Sequence, residues 1–491
     1  MSERVPDRRM LIDGELVGAV DGGWLESVNP ATGQEIGRVP AGGEKDVERA
    51  VTAAEAAFVP WSRTPPEQRA RLLREFAARL NDNGEWLAEL ETADTGNTIS
   101  TSRFDVDFSL ARIDYYAGLA HEAKGETLQP SQAGVLNLSL RVPYGVVGRI
   151  LPFNHPLMFA ATRVAAPLVS GNTLVIKPCE QSPLSTVALA EIVRDVFPPG
   201  VVNIVTGLGK HAGDALVRHP NVRRLAFIGS VPTGLAIQRS AAEVSVKHVT
   251  LELGGKNPMI VFPDADFDAA MAGAVRGMNF AWQGQSCGST SRLFLHADIY
   301  DRGVQWLREN VAAIRVGDPA DPSTEMGPIN SSAQLEKDLN YIASAHQDGA
   351  RLITGGDRPA GAEFEHGYWL RPTVFADVTP NMRIFGEEVF GPVLSVIRWR
   401  DIEDVIDWAN RVEYGLTASV WSNDLRAAFD TIGRLHAGYC WINDTSRHYL
   451  GTNYGGVKNS GVGREEGLEE LLSYTEVKTV NLVSDPAAVH S

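Results

Sequence analysis

The chain has 491 residues, 44% hydrophobic and 22% charged, an ordinary balance for a globular protein with large cores and a length that suits two to four domains at about 150 residues each. A formal net charge of −16 repels phosphate backbones and sets nucleic-acid partners aside. Cys179, Cys287 and Cys440 are too few and too far apart for a disulfide framework or a zinc cluster, so a reducing compartment and no metal site are expected.

The N-terminal MSERVPDRRMLIDGE is polar and lacks the apolar core of a secretory signal. No run reaches the roughly 18 apolar residues of a membrane span. A soluble, cytoplasmic protein without a membrane partner is the expectation. Residues 44–91 carry apolar positions at helical spacing, with Pro and Gly as punctuation, and Asp105 to Ala120 continues in that vein. From about residue 141 the texture changes. YGVVGRILPF, NTLVIKP, GVVNIVTG and RRLAFIGS are short apolar runs, separated by helical SPLSTVALAEIVRDVF and KHAGDALVRH. Such alternation implies βαβ units on a parallel sheet, with ligands at the carboxyl edge.

A second α/β series begins near 254. NPMIVFP, SRLFLH, WLRPTVFADV, VLSVIRW and LTASVWS are strand-like, and helices are expected around 266–280, 298–313, 331–348, 402–410 and 424–435. GVLNLSLRVP (134–143) and LLSYTEVKTVNLV near the end alternate as half-buried strands do, and are expected to pair, within a subunit or across a boundary.

Three strand ends are candidates for nucleotide binding. GLGKHAG (207–213) misses the dinucleotide spacing by one residue and is weak alone. FIGSVPTG (227–234) ends a strand at Gly229-Ser230 and opens a helix, which makes an anion site. IKPCE (176–180) places Lys177 and Glu180 where a carboxylate can accept from ribose hydroxyls. In WQGQSCGST (282–290), Cys287 lies among small and polar residues, whereas buried structural cysteines usually have apolar neighbours. LPFNHP puts Asn154 just past a strand, LELGGKNP puts Glu252 before a Gly-Gly turn, and EEVFGPV and NYGGVKNSGVGREEG are Gly-rich loops with acidic residues.

In that order, from about 25 to 483, these stretches resemble the motifs of the NAD(P)-dependent aldehyde dehydrogenase superfamily. The resemblance implies Cys287 as the nucleophile that adds to an aldehyde. Asn154, with the Cys287 backbone N–H, would hold the oxyanion. Glu252 would be the general base, and its presence favours a free acid product over CoA acylation. Glu465 would relay protons from Glu252. Arg163 falls where many relatives carry lysine; an arginine does not readily give up a proton, which leaves it an electrostatic role.

For the cofactor the resemblance implies Lys177 and Glu180 on the adenosine ribose, Gly229, Ser230 and Gly234 near the pyrophosphate, and Gly209 beside the adenine. Glu388 would bind the nicotinamide ribose with Phe390 packed near it, and Phe153 and Leu253 are expected in the same site. Glu180 favours NAD, with NADP as the alternative. The implied aldehyde tunnel is lined by Phe108, His155, Phe159, Thr162, Ser286, Gly288, Arg447, His448 and Tyr454. An aromatic aldehyde is expected, with a carboxylated one such as 2-carboxybenzaldehyde held by Arg447 as the narrower form. Aliphatic, betaine-like and semialdehyde substrates compete with it, and a non-catalytic relative is the remaining alternative. The implied fold is two doubly wound α/β domains with a small β arm: an NAD-binding domain (1–127 and 145–253), a catalytic domain (254–440), an oligomerisation arm (128–144 and 473–491) and an anchor loop (441–472). A homodimer or homotetramer is expected.

Overall fold

Val146–Ile150 and Thr173–Lys177 are buried along their whole length, as parallel strands covered on both faces must be. In the computed structural model, which describes residues 7–130 and 134–484, they pair at the centre of an eight-stranded sheet. Val222–Gly229 and then His248–Leu253 follow on one side, and Val202–Ile204 on the other. The strand order reverses between Val146–Ile150 and Val222–Gly229. Doubly wound sheets bind ligands outside the strand carboxyl ends at such a reversal. Antiparallel strands close both edges: Met10–Ile12 with Glu15–Val17, and Gly461–Val462.

The second sheet has seven strands. Thr373–Ala376, Val393–Trp399, Arg292–His296, Pro258–Val261, Thr417–Trp421 and Tyr439–Ile442 run parallel, and Arg351–Thr354 is an antiparallel edge. Residues alternate between the cores on its two faces: Ile260 and Phe294 pack in one, Met259, Val261, Leu293 and Leu295 in the other. Each sheet is thus the middle of three layers.

The helical stretch 44–91 divides into Glu44–Arg63, Pro66–Asp82 and Gly84–Thr95. Pro66 starts the second piece at the first-turn position where proline fits. KHAGDALVRH opens with a wide turn, Gly209–Gly213, before the short helix Asp214–Arg218. Sequence reading did not anticipate the N-terminal strands Met10–Ile12, Glu15–Val17, Trp24–Asn29 and Gln34–Pro40. They are short, and the pair Trp24–Asn29 with Gln34–Pro40 stands outside both large sheets.

Val135–Pro143 and Thr475–Val483 pair antiparallel over nine residues, with Thr127–Leu128 as a third strand. Residues 131–133 and 485–491 of the expected arm lie outside the described residues. Among the described residues no helix is long and apolar enough to cross a membrane.

Candidate active site

The loop carrying Cys287 is held from beneath. Asn257, fully buried before strand Pro258–Val261, donates from Nδ2 to the carbonyls of Cys287 (2.7 Å) and Ser289 (2.9 Å), and its Oδ1 accepts from the Thr417 N–H at 3.0 Å. Gly284 has φ +68°, and a Cβ there would lie 2.2 Å from the Gly391 carbonyl oxygen; only glycine fits. With the loop carbonyls turned toward Asn257, the Cys287 N–H has no backbone acceptor among the described residues. The thiol is half-buried, 3.6 Å from the Tyr454 hydroxyl.

Glu252 closes the other side of the thiol. It lies near the end of His248–Leu253, 5% exposed, and neither carboxylate oxygen has a hydrogen-bond partner of good geometry. Burial pushes its pKa up to about 8, although the facing Cys287 thiol favours ionisation. Burial, and then the Glu252 carboxylate, push the thiol well above its ordinary value. Asn154 donates from Nδ2 to the Gln285 carbonyl at 2.9 Å, and its Oδ1 has no partner. A side-chain amide has two donor hydrogens, so one remains for an oxyanion at the sulfur.

Two cavities meet at these three residues. The first, about 430 Å³, lies at the strand-order reversal and is lined by Phe153, Lys177, Glu180, Gly209, Gly229, Ser230, Glu388 and Phe390 together with Asn154, Glu252 and Cys287. Lys177 Nζ donates to Glu180 Oε2 at 2.9 Å. Burial alone would raise the Glu180 carboxyl, but Lys177 holds it below its ordinary value. Ser230 caps the helix Val231–Ala242, which aims a helix N-terminus at the cavity. Glu388 accepts from the Gly255 N–H at 2.9 Å, and Phe390 (φ +62°) meets Phe153 edge-on at 5.6 Å. A long groove with acidic acceptors at both ends and a helix N-terminus between them fits a dinucleotide.

The second cavity, about 110 Å³, shares Asn154, Glu252 and Cys287. Phe104, Phe108, Phe159, Trp282 and Tyr454 supply ring walls, and His155, Ser286, His448, Arg163 and Glu466 supply polar ones. His155 Nδ1 lies 2.8 Å from Asp105 and His448 Nδ1 3.0 Å from Glu466.

Behind this wall is a buried ion cluster. Arg163 reaches Glu465 at 3.1 Å, Glu466 at 3.3 Å and Glu470 at 3.4 Å. Arg149 binds Glu465 at 2.6 Å and Arg112 binds Glu466 at 3.2 Å. Burial pushes Glu465 and Glu466 up, but Arg149 and Arg163 hold Glu465, and His448, Arg163 and Arg112 hold Glu466, below their ordinary values. Glu470 is raised by burial.

Some expected residues fall elsewhere. Arg447 is exposed beside Asp444, at 3.7 Å, and is not part of the cavity wall. Thr162 turns its hydroxyl back to the Met158 carbonyl at 2.8 Å, a bond within its own helix, and does not line the cavity. Gly288 lies under Tyr454, whose hydroxyl would be 3.2 Å from an added Cβ. Gly234 and Leu253 do not line the dinucleotide cavity; they pack on each other, with Leu253 2.9 Å from where a Gly234 Cβ would be. Sequence reading missed Asn257, Asp105, Phe104, Trp282 and Glu466, and Gln334 and Lys337 in the dinucleotide cavity. Phe104 was within reach, since it lies four residues before Phe108 on one helix face. Asp105 and Asn257 carry no local signal.

The aldehyde dehydrogenase family profile matches residues 19–480. The chain is 45% identical over 480 residues to aldehyde dehydrogenase tropH of Talaromyces stipitatus, covering 96% of this chain and 93% of that one. Its fold superposes with TM-score 0.95 on PnpE of Pseudomonas sp. WBC-3 in complex with nicotinamide adenine dinucleotide, at 41% identity and 98% of both chains. It also superposes with TM-score 0.95 on betaine aldehyde dehydrogenase of Staphylococcus aureus in complex with NAD+, at 36% identity over 98% of this chain and 96% of that one.

Proposed function

The chain belongs to the aldehyde dehydrogenase family, and from that premise we propose that it oxidises a one-ring aromatic aldehyde to the carboxylic acid, with NAD as hydride acceptor. One observation carries the reading: a dinucleotide-shaped cavity and a ring-walled cavity meet at Cys287, Asn154 and Glu252 and share those residues. The second cavity is comparable with the ~150 Å³ site that holds a benzene ring, and its walls are aromatic. NAD-bound relatives of the same fold support the cofactor assignment.

The chain's own residues account for the steps. Ionised Glu252 takes the Cys287 thiol proton as the sulfur adds to the aldehyde carbon and forms a thiohemiacetal oxyanion, and it releases that proton to solvent before hydrolysis. The second Asn154 amide hydrogen and the Cys287 N–H stabilise its oxyanion. When bound, NAD supplies the site that accepts hydride, and the carbon is left as a thioester on Cys287. Glu252 then takes a proton from water, the water attacks the thioester, and Cys287 leaves with the acid released. Lys177, Glu180 and Glu388 orient the two riboses. Glu180 also disfavours a 2′-phosphate by like charge. The exposed apolar side chains of the three-stranded sheet, among them Leu136, Leu140, Val477 and Leu482, suit a contact with a second copy of the chain.

The test is NADH formation from NAD with benzaldehyde, 2-carboxybenzaldehyde, hexanal and betaine aldehyde, beside a Cys287→Ala control. Turnover of benzaldehyde above the others, lost in the control, is the expected result. A preference for hexanal or betaine aldehyde would overturn the aromatic reading. Turnover only with CoA would overturn hydrolysis.

A further inference from the structure

Two imidazoles line the ring-walled cavity, and a buried carboxylate backs each of them. An ionised carboxylate only accepts hydrogen bonds, so Nδ1 carries the proton. In a neutral ring Nε2 is then a bare acceptor, and among the described residues neither ring's Nε2 has a hydrogen-bond partner. Such a nitrogen accepts from a substrate hydroxyl. If that proton crosses, the imidazolium donates to the resulting oxyanion, and the net charge of the pair is unchanged.

The two rings differ in how firmly they are held. Asp105 has one oxygen without a partner. Glu466 is gripped by Arg112 at 3.2 Å and Arg163 at 3.3 Å. The His448 ring lies 4.4 Å from the Tyr454 ring, 5.8 Å from Tyr439 and 6.2 Å from Phe108, centre to centre. The Tyr454 hydroxyl in turn lies 3.6 Å from the Cys287 sulfur. Tyr454 thus touches both His448 and the nucleophile.

Among the described residues, the arginine that lines the cavity, Arg163, is already committed to carboxylates of the protein. Arg163 is shared among three carboxylates, and Arg112 lies on Glu466 with its guanidinium 3.4 Å from the Phe108 ring centre. Arg447 is outside. A substrate carboxylate would add a negative charge beside Asp105 and Glu466, whereas a hydroxyl adds none.

We propose that His448, positioned by Glu466, selects aromatic aldehydes that carry a ring hydroxyl, whose O–H donates to His448 Nε2 while the aldehyde carbon meets Cys287. This rests on the aromatic-aldehyde reading above.

The experiment compares kcat/KM for the three ring isomers of hydroxybenzaldehyde with the matching methylbenzaldehydes, which have similar size and no donor. Benzaldehyde and hexanal serve as references. The wild type is expected to favour one hydroxy isomer over its methyl partner by roughly ten- to a hundredfold, the range for a hydrogen bond with a charge-backed group. His448→Phe is expected to bring that ratio near one. Glu466→Gln, which keeps an acceptor for Nδ1–H, is expected to retain more of the ratio than Glu466→Leu. Equal use of hydroxy and methyl partners by the wild type, at all three positions, would overturn the proposal, as would a preference that survives in His448→Phe. If that variant does not fold, His448→Gln and the wild-type ratios decide. Turnover of benzaldehyde and methylbenzaldehydes without a hydroxyl preference sinks only this inference. Turnover of hexanal with no aromatic substrate sinks the aromatic reading as well.

Discussion

Replacing Glu252 by Gln tests the chemistry and the electrostatics of the site together. The buried carboxyl is raised from 4.5 to about 8, so in the folded protein it is protonated at neutral pH and ionises only as pH passes about 8. In the unfolded chain it ionises from about 4.5 upward. Between those values the unfolded state gives up a proton that the folded state keeps, so stability declines as pH rises through the window and levels off above about 8. At about 1.36 kcal/mol per pKa unit, the wild type should lose roughly 3 kcal/mol relative to Glu252→Gln between pH 6 and pH 9. Groups away from the site titrate alike in both proteins and cancel in the difference, and a Cys287→Ala background removes the thiol that is coupled to Glu252. The same ionisation creates the base, so wild-type turnover should rise with pH to a plateau above about 8. In Glu252→Gln, steady-state turnover should fall by about 10²–10⁴, the usual range for a general base, while the first-turnover burst of NADH falls less. Denaturant melts at the two pH values and stopped-flow NADH absorbance read these outcomes. A wild-type rate flat from pH 6 to pH 9, with no relative gain in stability for the variant at pH 9, would refute the raised carboxyl and the role built on it.

Asn154→Ala removes one oxyanion donor and should lower kcat by about 10²–10³ with little change in NAD affinity measured by titration. Asn257→Ala breaks three hydrogen bonds, two of them buried, so it should cost roughly 3 kcal/mol in denaturant melts and lower kcat/KM about 10²-fold through displacement of the sulfur. Glu180→Ala should move the NADP to NAD ratio of kcat/KM at least about tenfold toward NADP, since one like-charge contact is removed. Leu140→Asp, on the exposed apolar sheet, should shift the mass measured by light scattering toward the monomer; an unchanged mass would refute a subunit contact on this sheet.

What the sequence made legible was local. Strands such as VVGRI and TLVIK read correctly because burial on both faces leaves them nearly uniform in polarity. Glu252, Asn154 and Cys287 stand in short stretches whose glycines and prolines mark where the backbone turns. Lys177 and Glu180 sit three residues apart, and the bond between them is equally local. The bonds of Asn257 to the nucleophile loop and to Thr417 span 30 and 160 positions, and spacing carries no information about such contacts. Arg447 misled because a charge in a motif gives no sign of which way its side chain faces.

The cluster around Arg163 is the clearest case of what only the fold supplies. Arg112, Arg149 and Arg163 are separated by more than 300 positions from Glu465, Glu466 and Glu470. Three carboxylates converge on one cation there, and a guanidinium, with five donors in a planar fork, can serve several acceptors at once. A lysine would offer only a point charge. The same fork fixes Glu465, whose carboxylate is held by two arginines below its ordinary pKa. A carboxylate that stays ionised is a poor place to put a proton, and an arginine is a poor place from which to take one. Glu465 therefore bears on Glu252 chiefly as a fixed negative charge, which helps raise the Glu252 carboxyl and keeps the base protonated until the pH approaches 8.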